Sequence, residues 1–187
     1  MHHPFLIGER LYLRRIERSD LAGAYFQWLN DQEVTRWMQN GLFPNSPEAM
    51  EAYYVSTATS QSDVVFAVVM KEDDRHVGNL GLHRIHATFR SAEVGVLIGD
   101  KQVWGQGVAT EAIRLLCDHA FRRMNLNRLF AGAAAPNVGS IRAFEKAGFQ
   151  REGVARQAYF CGGTYVDCVN LGLLRSDWEA LQFHPPT

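Results

Sequence analysis

Three β-rich runs, Val64 to Met70, Val77 to Ile85 and Ala92 to Gly99, follow one another with only the polar turns Lys71 to His76 and His86 to Ser91 between them. Runs so spaced predict an antiparallel meander. The period then changes: from Val108 to Arg123 apolar residues recur at helical spacing, with Val108, Ala112, Leu115, Leu116 and His119 along one stripe and Glu111, Arg114, Asp118 and Arg122 largely opposite. A helix with one apolar stripe is expected to pack on the sheet.

The flanks extend this plan. Arg10 to Ile16 reads as a strand, and Ser19 or Asp20 can cap a helix that carries Leu21, Tyr25, Trp28 and Leu29 on one side. Asn45-Ser46-Pro47-Glu48 starts a second helix, running to about Thr59, because Ser46 can accept an orphan N–H while Pro47 supplies a preset φ. Beyond the central helix, Arg128 to Ala134 reads as a strand. Val138 to Ala147 reads as a helix with Asn137 as its N-cap and Gly148 as its stop, and strands near Val154 to Phe160 and Tyr165 to Leu174 close the chain. The expected order is β-α-α-β-β-β-α-β-α-β-β, in one α/β (α+β) domain over residues 1–187, with 184–187 as a loose tail.

Composition narrows the classes. With 47% hydrophobic and 21% charged residues over 187 positions, the chain can bury a sizeable core. Its 19 basic and 20 acidic residues leave a formal charge of -1, which offers no general attraction to nucleic acid or anionic membranes. The arginine groups Arg14, Arg15, Arg18 and Arg122, Arg123, Arg128 are read as solvated faces. No apolar run nears the ~20 residues a bilayer needs, no signal-type segment opens the chain, and a cytoplasmic location is the default expectation. Cys117, Cys161 and Cys168 are odd in number and not paired as CxxC, so they are read as free thiols with no metal role. His83-x-x-His86 has an odd separation on a strand, which points the two rings to opposite faces and argues against a metal pair.

The stretch Gln102-Val103-Trp104-Gly105-Gln106-Gly107-Val108-Ala109-Thr110-Glu111-Ala112 lies between a strand and the amphipathic helix. A helix N-terminus offers unpaired N–H groups and the positive end of the peptide dipoles, so a loop delivering Gly105 and Gly107 there can cradle a pyrophosphate. No Gly-Lys-Ser/Thr follows, which excludes a Walker loop. Thr110 stands where a dinucleotide fingerprint needs its third glycine. A plain glycine turn at a helix start is the alternative.

With Gln102, Gly105 and Gly107 in place, the chain resembles the GNAT superfamily of acetyl-CoA-dependent N-acetyltransferases, whose signature Q/R-x-x-G-x-G/A opens the helix after the fourth strand. The likeness continues through Thr110-Glu111-Ala112, Asn137-x-x-Ser140, Phe144-Glu145-Lys146-x-Gly148-Phe149, Glu152-Gly153 and Gly163-x-Tyr165-x-Asp167, and is greatest with the RimJ/RimL-like branch. It implies a mixed, mostly antiparallel sheet of about seven strands, splayed between the fourth and fifth and flanked by about four helices. Residues 1–62 would form the acceptor-side helices, 63–135 the sheet and pyrophosphate loop, and 136–183 the last helix and hairpin.

The resemblance implies that the backbone from Val103 to Thr110 binds the pyrophosphate of acetyl-CoA, and that Leu97 and Ile98 pair with the pantetheine amides. Asn137 and Ser140 would lie beside the thioester end, with Phe144 also among the cofactor-binding residues. Two departures stand out: many members carry a tyrosine acid where this chain has Phe144, and Val96-Leu97 replaces an aromatic pair common in RimJ/RimL proteins.

An alkyl amine with pKa near ~10.4 is less than ~0.1% neutral at pH 7, so amine acetylation needs a base or an anion-lined pocket. Glu93 is the first candidate, because alternation puts it on one strand face with Gly95 and Leu97; it reads equally as an exposed carboxylate at a strand start. Ser140 or water is the expected substitute for the missing tyrosine, with Tyr159 and Tyr165 as later candidates. Acceptor recognition is expected at Trp28, Asp31 and Trp37, with Glu33 beside them. Aromatics such as Trp28 and Trp37 are more often core than ligand platforms, and the acids also read as a solvated turn.

The function expected is direct transfer of acetyl from acetyl-CoA to a primary amine, with a protein N-terminus or a small amine as acceptor, by a monomer or homodimer without a metal. The alternative is a non-catalytic acyl-CoA-binding module.

Overall fold

A computed structural model describes residues 3–183, and the tail expected at 184–187 lies outside them. The strands are β1 (Leu6–Ile7), β2 (Leu11–Arg15), β3 (Val64–Met70), β4 (His76–His86), β5 (Ser91–Ile98), β6 (Arg128–Ala134), β7 (Gln150–Cys161) and β8 (Thr164–Leu174). The helices are α1 (Ala24–Leu29), α2 (Pro47–Thr59), α3 (Val108–Arg122), α4 (Val138–Lys146) and α5 (Arg175–Phe183). The strands form one 8-stranded sheet in the order β1-β2-β3-β4-β5-β6-β8-β7, antiparallel everywhere except between β5 and β6.

Local chemistry explains most boundaries. Ser46 Oγ accepts the Ala49 N–H at 3.2 Å with Pro47 at the first helical position, which starts α2 where the sequence predicts. The helix expected after Ser19 is split instead into a 3-10 turn, Arg18–Ala22, and the six-residue α1, with Gly23 at the break. Asp20 is the third residue of that turn rather than its cap, and its Oδ2 accepts the Glu17 N–H at 2.7 Å. Two elements add to the expected plan. β1 is two residues long, too short to show a period, and α5 is held by Trp178, 7% exposed, whose ring lies 5.4 Å from that of Phe121.

The core divides the sheet into two faces. α3 and α4 cover one, where Leu13, Leu82, Ile113, Leu116, Phe121 and Leu129 are fully buried. Each such side chain stabilises the fold by roughly 1.5–3 kcal/mol relative to exposure. On the other face Ile16, Tyr25, Trp28, Leu29 and Met50 close over Leu97. Arg14, expected on a solvated face, is instead 3% exposed beside the Arg18–Ala22 turn. Its Nη1 and Nη2 donate to the two oxygens of Asp20 at 2.8 and 2.7 Å, because a guanidinium out of water needs a bidentate partner.

The expected splay is present. β5 and β6 pair only at Ser91↔Arg128, Ala92↔Leu129 and Glu93↔Phe130, and then diverge. Beyond that point, among the described residues, β5 keeps β4 as its only neighbour and β6 keeps β8. A backbone edge left open in this way needs another hydrogen-bonding partner.

Candidate active site

The open edge has a direction. Gly99 N–H donates to Val77 O on β4 at 3.0 Å, and Leu97 lies opposite Asn79. Alternation along an extended strand therefore turns the backbone groups of Val94, Val96 and Ile98 toward the gap, and those of Leu97 toward β4. Leu97 is thus corrected as a backbone partner for a ligand in the gap: its side chain, 9% exposed, packs among the α1 aromatics and aliphatics. Of the Ile98 groups, the C=O is engaged by the Trp104 indole N–H at 2.7 Å. Ala131, Ala133 and Ala134 keep the facing strand free of bulk.

At the wide end of the gap, Gly105 and Gly107 adopt φ of 75° and 81°, the left-handed region that suits glycine. No side chain caps α3, and its first bond inside the helix is Glu111 N–H to Gly107 O at 3.0 Å. The N–H groups of Val108, Ala109 and Thr110 therefore lack helical partners and collect at the positive end of a 15-residue helix. That arrangement fits a diphosphate.

The loop is braced from three sides. Asp100 Oδ1 accepts the Gln102 N–H at 2.9 Å, and Gln106 Nε2 donates to Gln102 O at 2.7 Å. Arg75 Nη1 holds Gln102 Oε1 at 3.0 Å. Arg10 Nη1 donates to Gln106 O at 2.8 Å, while Val103 and Val108 are buried in the main core.

At the narrow end, where pairing stops, a cavity of about 460 Å³ opens against Arg84, Glu93, Phe130, Gly132, Glu152, Tyr159, Cys168 and Asn170. Glu93, the expected base, is 33% exposed there and accepts a contact from Arg84 Nη2 at 2.7 Å. Tyr159 reaches the same space because the β7–β8 register shifts between Ala155 and Tyr159. Its phenol lies over Gly132, where a Cβ would come within 3.3 Å of Oη, and 3.5 Å from the Cys168 thiol. The hydrogen bond with Cys168, and burial after it, push the phenol up to about 12. Arg128 holds both oxygens of Glu152 at 2.6 and 2.5 Å.

Several expected site residues sit elsewhere. Asn137 Oδ1 accepts the Ser140 N–H at 3.3 Å, so this pair caps α4, and Ser140 is not part of the cavity wall. Phe144 is 2% exposed with its ring 5.0 Å from Phe149, a core position rather than a ligand-lining one. Tyr165 is 67% exposed, with its ring tilted against that of Phe160 at 5.0 Å. Trp28, expected at the acceptor, is 8% exposed and meets the His76 ring edge-on at 5.1 Å. Trp37 is half-buried under the Arg36 guanidinium. Asp31 is tied to Lys101 Nζ at 2.8 Å, a contact that holds its carboxyl below the usual carboxylate range, and Glu33 meets the same lysine at 2.5 Å. His83 pairs with Asp63 at 3.1 Å and His86 stacks on Phe89. Arg84 and Asn170 carried no signal in the sequence, and Arg128, expected on a solvated face, instead lines the cavity, since a strand bulge and cross-strand register bring these residues together.

Comparison with known proteins gives the class. Residues 10–150 match the family described as Acetyltransferase (GNAT) domain, and the chain belongs to this family of N-acetyltransferases. It is 31% identical over 175 residues to "Uncharacterized N-acetyltransferase p20" of Bacillus licheniformis, covering 92% of this chain and 97% of that one. It is 27% identical over 168 residues to spermidine N(1)-acetyltransferase of Escherichia coli K12, with 90% and 88% covered. In fold it is similar to spermidine N-acetyltransferase from Vibrio cholerae, whose crystal structure holds CoA and spermine, with TM-score 0.83, 24% identity and coverage of 91% and 98%. No helix among the described residues is long and apolar enough to cross a membrane.

Proposed function

We propose that the protein transfers the acetyl group of acetyl-CoA to a small primary amine by direct attack in a ternary complex. The observation that carries this is the end of β5–β6 pairing at Glu93 and Phe130, with an amide-lined helix start at one end of the gap and a carboxylate and phenol at the other. The N–H groups of Val108, Ala109 and Thr110 hold the pyrophosphate, and the gap-facing groups of Val96 and Ile98 bond the pantetheine amides. The small side chains of Ala131 and Ala133 leave room for the arm.

At the apex, Glu93 takes a proton from the incoming ammonium, directly or through water, and so supplies the neutral nitrogen. The nitrogen lone pair forms the new C–N bond, and a gap-facing N–H of β5 holds the resulting oxyanion. The C–S bond then breaks. Tyr159 gives its proton to the departing thiolate and recovers one from solvent, while Glu93, having passed its first proton to solvent, takes one of the two protons on the cationic nitrogen and leaves the amide N–H. The relatives named for spermidine support a small-amine acceptor, as does Val96-Leu97 in place of the aromatic pair of ribosomal-protein enzymes.

The test is thiol release together with product mass on incubation with acetyl-CoA and a panel of small amines. Acetylated product that falls with Glu93→Gln is the expected result. Tight acetyl-CoA binding without turnover of any amine would instead favour a binding module.

A further inference from the structure

We propose that the acceptor carries its own carboxylate, as an amino acid does, and that Arg84 is the group that binds it; this rests on the acetyl-transfer reading above. Arg84 lies where the β4–β5 register slips between His83 and His86, with φ of 52°. That bulge turns its guanidinium into the cavity, 5.4 Å over the ring of Phe130 and onto Glu93. The contact with Glu93 uses one nitrogen, Nη2 at 2.7 Å, and the side chain is 68% exposed. A guanidinium has five N–H donors in a planar fork, so an edge suited to bidentate binding of a second carboxylate stays available.

The remaining charges argue against an oligocation. Of the two carboxylates on the cavity wall, Glu152 is closed by the fork of Arg128 and Glu93 already faces Arg84. The acids expected to receive a cationic acceptor, Asp31 and Glu33, are both taken by Lys101. A polyamine would therefore meet no uncompensated carboxylate among these groups. An amino acid matches them: its nitrogen goes to Glu93 and Tyr159, its carboxylate to Arg84, and both charges on the wall keep a partner.

Matched pairs of acceptors that differ only by the carboxylate test this: lysine against cadaverine, ornithine against putrescine, phenylalanine against phenethylamine. With the full chain and acetyl-CoA, kcat/KM for the amino acid is expected to exceed that of its decarboxylated partner by at least ~10-fold. In Arg84→Gln that ratio should collapse toward one, chiefly through KM for the amino acid; melting curves of the variant confirm that it is folded. Acetylation of the decarboxylated amines with equal or greater efficiency, or an unchanged ratio in Arg84→Gln, overturns this inference and leaves acetyl transfer standing. Absence of turnover with every amine overturns the proposed function, and the carboxylate preference with it.

Discussion

Arg10 grips Glu111 with both backbone and side chain: its N–H donates to Oε1 at 2.8 Å and its Nε to Oε2 at 2.9 Å. Glu111 sits in the first turn of α3, beside the N–H groups offered to a diphosphate, where a free carboxylate would compete with the ligand for the helix's positive end. By holding that carboxylate and the Gln106 carbonyl together, Arg10 both neutralises the turn and fixes the loop. Arg10→Met is expected to raise the dissociation constant for acetyl-CoA by roughly 5- to 30-fold, read by calorimetric titration, with the Thr110 amide signal the most perturbed.

The same pair sets an acid limit. Burial alone would raise the Glu111 carboxyl, but the hydrogen bonds from Arg10 outweigh it and leave it lowered. A depressed folded-state value contributes stability above the ordinary glutamate pKa of about 4.3, and that contribution is lost as pH falls through the folded value. Asp20, lowered against its burial by Arg14 and the Glu17 N–H, acts in the same direction. His76 is lowered first by burial, so it disfavours the fold as pH drops below about 6.5. Melting temperature is expected to decline from near pH 6.5 downward and to fall faster below pH 4.3; a flat acid profile would contradict this.

Breaking the buried pair is the larger perturbation. Asp20→Asn leaves Arg14, 3% exposed, without its carboxylate partner. The loss is expected to be about 3–5 kcal/mol by chemical denaturation, whereas the surface pair Arg122–Asp118, with side chains half exposed, should matter by less than about 1 kcal/mol.

Much of this frame is legible in the sequence, and the failures have physical reasons. The Ser46-Pro47 start and the Gln102 to Thr110 loop depend on local chemistry, so residue types suffice. Glu93 is placed by alternation alone. Arg14 looks solvated because a charge on a strand normally is, and only the tertiary position of Asp20 reveals its burial. Arg84 and Tyr159 enter the cavity through register shifts, and the gap-facing role of Val96 over Leu97 follows from pairing with β4. None of these leaves a period in the chain.

In the proposed reaction Tyr159 is the proton donor. With its phenol pushed up to about 12, first by the hydrogen bond with Cys168, it stays protonated through the working range. Tyr159→Phe is expected to lower kcat about 10²-fold while Ser140→Ala changes it little. Cys168→Ala, which removes the main cause of the shift, should bring the alkaline limb of the pH–rate profile down toward pH 10.

Gly107 tests the anion cradle separately. Its φ of 81° strains any residue with a Cβ by roughly 1–2 kcal/mol, and the added carbon would lie 3.5 Å from Arg10 Nη2. Gly107→Ala is expected to weaken acetyl-CoA binding by about 10-fold or more by the same titration, with kcat at saturation far less affected.

The central claim is that the open edge of β5 and the first turn of α3 together receive acetyl-CoA. Residue-resolved amide NMR of the protein titrated with acetyl-CoA tests it most directly. The amides of Val96, Ile98, Val108, Ala109 and Thr110 are expected to shift and gain protection from exchange, while that of Leu97, already turned to β4, keeps its protection. Saturable binding that leaves those five amides unchanged would contradict the account.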